Sequence, residues 1–337
     1  MAVNTISHND VKTNRHEYIG GSDIAKVMGL SRWGTPLSLW AEKTGKIPAK
    51  DLSDNEAVEL GTDLEEFVAK KFTQKTGKAV RRSPKLYQHP DYPYMVAHVD
   101  RLVTGTDELL ECKTCSAFKT EEWDFEYEEV TEADGSKKKV KVEKIPQEYI
   151  LQVMWYLGIT GRKVGHIAVL IGGQKFRTRE IEFDQELFDT MVESAKEFWQ
   201  HVQEQTPPPV MANDDETLKD LYSEHSEFMI ELYPTDEETA LAAQALEEKI
   251  AYLQEVKAHI KSLEDEKKEI ETHIKDIIKD NLGIKTPKYS VTWKSQSKTT
   301  VDTTLLKECE PEIALKYSIT ANYRVMRIGK NKEYEVA

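Results

Sequence analysis

Three consecutive prolines, in "TPPPV" at 206–210, constrain this chain more than any other feature. Proline fixes φ and has no amide hydrogen, so neither a helix nor a central strand can run through such a triplet. The stretch reads as a polyproline spacer. At 337 residues the chain exceeds one typical domain, and a core with an appended module is expected. We therefore expect a first domain over 1–205, a Pro-rich linker with a short helical segment over 206–235, and a further module over 236–337.

Ahead of the prolines the pattern is mixed. "GGSDIAKVMGL" predicts a helix capped by Ser22, running to about Met28 and ended near Gly29. "TPLSLWAEKTG" predicts another, with Pro36 in its first turn and Gly45 closing it. In "NEAVELGTDLEEFVAKKFTQKTG", Val58, Leu64, Phe67, Val68 and Phe72 recur near helical spacing before Gly77. "YPYMVAHVDRLV", "ELLECKT", "VGHIAVLIGG" and "KFRTREIEF" read as strands. "WDFEYEEVTEADGSKKKVKVEKIP" reads as a hairpin about an Asp-Gly turn, and "PQEYILQVMWYLGITG" as a helix between the strand groups. That order implies an α/β fold with a central mixed sheet flanked by helices.

Beyond the prolines, residues 236–281 predict one long helix. Leu253, Val256, Ile260, Leu263, Ile270, Ile274 and Ile277 keep three-four spacing, interrupted only by Lys267. This is a coiled-coil seam of about four to five heptads. A helix cannot bury such a stripe alone, so it needs a partner. "KYSVTWKSQSKTTVDTTLLKECEPEIALKYS" and "YRVMRIGK" predict a small basic β/α tail.

Composition narrows the class. No run of about 18 apolar residues occurs and the N-terminus is polar, without a signal peptide, so a soluble intracellular protein with no membrane partner is expected. Three cysteines, two of them in C-x-x-C at Cys112 and Cys115, fit a reducing compartment. No second C-x-x-C or nearby His pair completes a zinc site. The formal net charge is −14, but its distribution matters more than its sum. Residues 1–235 carry 29 basic against 41 acidic groups, 236–280 carry 7 against 13, and 281–337 carry 10 against 6. An acidic chain can still bind DNA when one groove is basic and metal ions neutralise its carboxylates.

"HVDRLVTGTDELLECKT", at 98–114, carries the chemistry. Alternate side chains of a strand share a face, so Glu111 and Lys113 point one way and Cys112 the other. The preceding strand, joined through Gly105, brings Asp100 beside them. Two ionised carboxylates on one face repel unless a counter-charge joins them. A hard divalent cation, Mg²⁺ or Mn²⁺, resolves this. Lys113 can then orient or deprotonate a metal-bound water for attack on a phosphodiester. The apolar run into "LLECKT" makes this a costly place for charge that has no use. Glu65 in "GTDLEEF", and Tyr149 and Gln152 on one helical face, could complete the site. Trp33 and Trp40 could stack on bases, but both read first as core.

These pieces occur in the order found in a known family. "IGGSDIAKVMGLSRWGTPLSLWAEKTGK", "ELGTDLEEFVAKKF", "MVAHVDRL", "LLECKT" and "YILQVMWYLGITG" together resemble the YqaJ-type viral recombinases, related to lambda exonuclease within the restriction-endonuclease-like PD-(D/E)xK nucleases. The resemblance covers about residues 15–200, and the first and last segments are its most specific parts. It implies a restriction-endonuclease-like core and a deoxyribonuclease using Mg²⁺ or Mn²⁺, two ions per site. Such an enzyme digests one strand of linear duplex DNA from the 5′ end and supplies 3′ single strands to a phage annealing protein. By the same resemblance Asp100 and Glu111 bind metal with the Cys112 backbone carbonyl, Lys113 handles the attacking water and Glu65 lies near the metals. Tyr149 and Gln152 form the supporting helix pair, while Arg15 and Ser22 hold the 5′-terminal phosphate. A guanidinium grips phosphate bidentately, and a Ser opening a helix N-terminus would add to that grip. A trimeric ring and a phage or prophage protein in the bacterial cytoplasm are implied by analogy. Two other readings remain open: an endonuclease or junction resolvase of the same fold, and a non-catalytic adaptor assembled through the long helix. An iron–sulfur nuclease is disfavoured, because the cysteines are too few and wrongly spaced.

Overall fold

Alternation along two neighbouring strands sets the architecture. A computed structural model of the chain describes residues 4–6, 15–49, 51, 54–131, 136–233, 235–320 and 323–329. The strands of the first part are β1 (Asn4–Ile6), β2 (Val80–Arg82), β3 (Leu86–Gln88), β4 (Val96–His98), β5 (Arg101–Val103), β6 (Glu108–Cys115), β7 (Phe125–Thr131), β8 (Lys137–Glu143), β9 (Val164–Ile171) and β10 (Lys175–Glu182). Its helices are α1 (Ile24–Val27), α2 (Pro36–Lys43), α3 (Glu56–Thr76), α4 (Gln147–Thr160), α5 (Gln185–Glu204) and α6 (Asp215–Leu221).

The main sheet runs β10-β9-β6-β5-β2 and is mixed. β6 and β9 are parallel, from Glu108 beside Val164 to Cys115 beside Ile171, and the other pairs are antiparallel. Parallel neighbours need a crossover, and α4 lies in the connection that supplies it. One face of the sheet presents Leu110, Ala168 and Leu170 to Val68, Ala69 and Phe72 of α3. The other presents Leu109, Ile167, Val169 and Ile171 to Val153 and Leu157 of α4. Each fully buried side chain of this size contributes ~1.5–3 kcal/mol, and Phe72→Ala would cost about 3–5 kcal/mol. α5 packs behind α4, where Gly158 leaves room for the Phe188 ring. The sequence reading gave α5 no helix, although Phe188, Met191, Ala195, Phe198 and Val202 are its buried stripe.

The run "YPYMVAHVDRLV" is not one strand. β4 pairs with β3 in a separate three-stranded sheet, β1-β3-β4, and β5 joins the main sheet. The chain changes sheet across Val99 and Asp100, and Asp100 stabilises the change by accepting the Cys112 N–H at 2.8 Å. Trp155 fixes the second sheet by donating its indole N–H to the Val96 carbonyl at 2.9 Å. The predicted hairpin forms as β7 and β8, paired from Phe125 beside Glu143 to Thr131 beside Lys137. Its Asp-Gly turn lies outside the described residues.

The first compact unit continues past the prolines to Tyr222. Leu218 and Leu221 of α6 pack on the main core. Asp214, fully buried, accepts hydrogen bonds from the Thr35 hydroxyl and the Met211 N–H.

The second unit, from Ser223 on, has α7 (Glu237–Ile278), β11 (Gly283–Lys285), β12 (Ser290–Thr292), α8 (Thr303–Cys309) and α9 (Pro311–Lys316). Asp236 and Thr239 form a capping box at the start of α7. At 42 residues α7 is ~63 Å long. Its stripe is largely open: Ile260, Leu263, Ile270 and Ile277 are each more than half exposed, and Leu253, Val256 and Ile274 are half-buried. Residues 323–329 form no regular element, and the C-terminal end of "YRVMRIGK" lies outside the described residues. Among the described residues no helix is long and apolar enough to cross a membrane.

Candidate active site

β6 delivers the two central groups. Glu111 and Lys113 share the face turned to α4, and Lys113 Nζ donates to Glu111 Oε1 at 2.6 Å. Cys112 turns the other way and packs on the α3 side. Gln152 of α4 donates from one amide nitrogen to Glu111 Oε1 at 2.8 Å and to the Tyr156 hydroxyl at 2.7 Å. Tyr149, one turn earlier, places its ring centroid 4.9 Å from Lys113 Nζ. Asp100 arrives from the bend between β4 and β5 and is anchored by the Cys112 N–H. The structure thus gathers Asp100, Glu111, Lys113, Tyr149 and Gln152, while the Cys112 backbone lies between Glu111 and Lys113 in sequence.

The electrostatics are unbalanced. Burial, and then the charge of Glu111, push the Asp100 carboxyl up to about 8. Glu111 Oε2 is buried and has no hydrogen-bond partner among the described residues. Burial favours loss of the Lys113 proton, but Glu111 and Asp100 outweigh it and hold the amine protonated. In this geometry Lys113 is an ammonium that donates, so it can orient a nucleophile or steady negative charge. Burial and the two carboxylates push the Cys112 thiol well up, leaving it a neutral wall. Burial does the same for Tyr156, which stays a hydroxyl.

Whether these groups suit a divalent cation can be tested on the donors themselves. Among the described residues no three His, Cys, Asp or Glu side chains cluster as a metal site. Buried Glu111 and half-buried Asp100 nevertheless face one another, and one Glu111 oxygen lacks a partner among the described residues. An oxygen-only set of two carboxylates with a main-chain carbonyl suits a hard cation that takes its remaining ligands from water and substrate. The residues fit the group.

Glu65 is not brought into this set. Its carboxylate is taken by Arg101, whose side chain is only 3% exposed and also reaches Glu66 at 3.1 Å. Arg101 was missed because "DRL" reads as an ordinary strand start, and nothing in its spacing marks a buried guanidinium.

Arg15 and Ser22 do meet. Arg15 Nη2 donates to Ser22 Oγ at 3.2 Å and lies 3.8 Å from Asp23 Oδ1. The expected cap is different, however: α1 has only four residues, and its N-cap is Asp23, not Ser22. No helix N-terminus therefore serves an anion here. Asp23 instead accepts the Gly20 N–H and pairs with Lys43 at 3.2 Å. Burial opposes its ionisation, but Lys43 and Arg15 overcome this and hold its carboxyl below the usual range. Lys43, almost wholly buried, also donates to the carbonyls of Arg15 at 3.2 Å and Tyr18 at 2.5 Å. It is the hidden pin of this segment, and a lysine within "LWAEKTG" gave no sign of it.

Two cavities meet around these groups. A smaller one of about 280 Å³ is lined by Arg15, Ser22, Asp100, Glu111, Gln152 and Tyr156. A larger one of about 1340 Å³ shares Arg15, Ser22 and Gln152 with it and adds Lys113 and Tyr149. The backbone at Gly21 lies flush on Tyr156, where any Cβ would run into the ring. Tyr156, four residues after Gln152 and seven after Tyr149, was open to recognition from helical spacing alone. Of the two tryptophans, Trp40 is core at 3% exposure, while Trp33, read first as core, is 58% exposed.

Comparison with known proteins places this geometry in context. Residues 11–163 match the family described as YqaJ-like viral recombinase domain. The uncharacterized protein YqaJ of Bacillus subtilis (strain 168) is 34% identical over 325 residues, covering 95% of this chain and 93% of that protein. Among solved structures, the alkaline exonuclease LHK-Exo from Laribacter hongkongensis is similar with a TM-score of 0.44 at 21% identity, covering 58% of this chain and 93% of that one. A phage related exonuclease from Haemophilus somnus 129PT gives 0.38 at 15% identity, covering 58% of this chain and 100% of that one. On the domain match and the identity shared along nearly the whole of both chains, this chain belongs to the YqaJ-like viral recombinase family.

Proposed function

We propose that the chain is a metal-dependent deoxyribonuclease that resects linear duplex DNA from its 5′ ends, leaving 3′ single strands for an annealing protein in recombination. The observation that carries this reading is buried Glu111 facing half-buried Asp100 beside Lys113, with one Glu111 oxygen unpartnered among the described residues. Such a pair is costly in an apolar setting unless a cation joins it. Membership of a viral recombinase family supports the recombination setting.

Asp100, Glu111 and the Cys112 carbonyl are the groups that would hold Mg²⁺ or Mn²⁺, two ions in the full site, and Glu65 would join them only on leaving Arg101. The metal would supply Lewis acidity and a water of lowered pKa. The chain's own residues do the rest. Lys113, protonated and fixed by Glu111 and the Tyr149 ring, presents its ammonium to the nucleophile or to the charge growing on the phosphate. Gln152 holds Glu111 in position and is itself held by Tyr156. Arg15, 70% exposed beside Ser22 and Asp23, presents its remaining guanidinium donors to a terminal phosphate. The open stripe of α7 suits contact with neighbouring subunits of a ring or with the annealing protein.

The test is incubation with Mg²⁺ and linear duplex labelled separately at each end, with or without a 5′ phosphate. Release of 5′ nucleotides that depends on the phosphate, with the complementary strand intact and Lys113→Ala inert, supports the proposal. Internal cuts move the assignment to an endonuclease, and no digestion by the unaltered protein moves it to an adaptor.

A further inference from the structure

The loop between α1 and α2 is held by several of its side chains. Gly29 starts it in the left-handed region at φ 69°. Ser31, buried, accepts the Trp33 N–H at 3.1 Å. Arg32 is held by Glu148, and by Glu122 at 2.8 Å. Thr35 forms a capping box with Ser38, and its hydroxyl is held by Asp214. Amid these anchors the Trp33 side chain projects into the open, 58% exposed.

What Trp33 extends is an aromatic series. Trp123, 1% exposed, stacks on Tyr149 with centroids 5.5 Å apart, and Tyr149 lies 5.9 Å from Trp33. The series runs from the core to the wall of the larger cavity, passing Lys113 at Tyr149. Arg32 lies 5.4 Å from the Trp33 centroid. In a chain of net charge −14, this cavity is lined by five Lys and Arg against three Asp and Glu. Flat aromatic faces beside cations recognise an anionic polymer that carries flat rings, and a nucleic-acid strand is that polymer.

We propose that Trp33 is a stacking platform for a base of the bound strand, close to the nucleotide whose phosphate faces Lys113. This rests on the nuclease reading above and adds a substrate contact to it. Stacking is tolerant of sequence, because every base has a π-face, so the platform positions a strand without selecting bases.

The test uses the full chain with a short duplex carrying 2-aminopurine near its 5′ end, in Ca²⁺ for binding and in Mg²⁺ for cleavage. Stacking predicts that the unaltered protein quenches the probe and that Trp33→Ala loses the quench with roughly 5- to 150-fold of affinity. Trp33→Phe should keep part of both. An abasic site at the probe position should lower the unaltered protein to the Trp33→Ala level and leave Trp33→Ala indifferent. Equal quench and affinity in Trp33→Ala, or an abasic penalty equal in both proteins, overturns the platform. Melting temperatures of the variants check folding, which an exposed side chain should not disturb. Loss of quench in Trp33→Ala without Mg²⁺-dependent cleavage by the unaltered protein keeps the platform and removes the nuclease reading. Cleavage with an unchanged KM in Trp33→Ala does the reverse, and no DNA binding by the unaltered protein overturns both.

Discussion

Glu108 and Glu111 lie on the same strand and face opposite sides of it, and the protein treats them differently. Glu108 Oε2 accepts from Lys78 at 2.6 Å and lies 2.8 Å from His166 Nε2, while Phe72 packs on the His166 ring. Burial works against its ionisation, but Lys78 and His166 prevail and hold its carboxyl below the usual range. Among the described residues Glu111 keeps one oxygen unpartnered, and it has Asp100 for a neighbour, itself pushed up to about 8. Charge on the α3 side of the sheet is closed by the chain, and charge on the α4 side is left incomplete. A closed cluster serves the fold, whereas an incomplete one implies a group from outside.

The strongest way to break this contrast is on the incomplete side. Asp100→Asn and Lys113→Ala should each lower DNA cleavage by about 10²–10⁴-fold, with Lys113→Ala still retaining DNA in a gel-shift assay. Asp100→Asn should melt close to the unaltered protein in chelator, because the amide oxygen can still accept the Cys112 N–H. A drop of several degrees would make Asp100 a structural group. Mn²⁺ should raise the melting temperature of the unaltered protein and lose that effect in Asp100→Ala.

On the closed side the order reverses. Glu108→Ala should cost about 2 kcal/mol in chemical denaturation and leave cleavage per folded molecule unchanged. Loss of activity without loss of stability would erase the distinction. Linkage gives a weaker effect. Since the folded Glu108 is held below its ordinary 4.5, its contribution is present above that pH and lost as pH falls further. Glu108→Gln should flatten that part of the stability profile in chelator, and an unchanged slope would assign it elsewhere. The smallest expected effect is at Arg15, where Ala should remove about tenfold of preference for a 5′-phosphorylated end and spare circular DNA cutting, if any.

Much of the layout was legible because punctuation marks it. Asn55 and Gly77 bound α3, Thr35 and Gly45 bound the α2 segment, and Gly161 ends α4, as local chemistry requires. Strand alternation also placed Glu111 with Lys113 and Cys112 opposite. What was lost lies in long-range geometry. Nothing in "AHVDRL" marks the change of sheet at Asp100, because the device is a hydrogen bond to an amide twelve residues away. Glu65 and Arg101 are 36 residues apart, and their pairing depends on how α3 lies on the sheet. Trp33 was judged by residue type, whereas its exposure follows from how its neighbours are tied.

The bond from the Thr35 hydroxyl to Asp214 spans 179 residues, and that from Trp40 to the His201 carbonyl spans 161. At translation speeds of ~5–20 residues per second, about 10–40 s separate the emergence of the two ends of the first. The loop that holds Arg32 and Trp33 thus waits on residues made long after it. A chain arrested near the prolines would carry every carboxylate of the site and still lack Asp214, the buried acceptor that Thr35 reaches. For a protein read as a DNA-cutting enzyme, the order of synthesis is a timer for that contact: it can form only when nearly the whole of its own unit has been made.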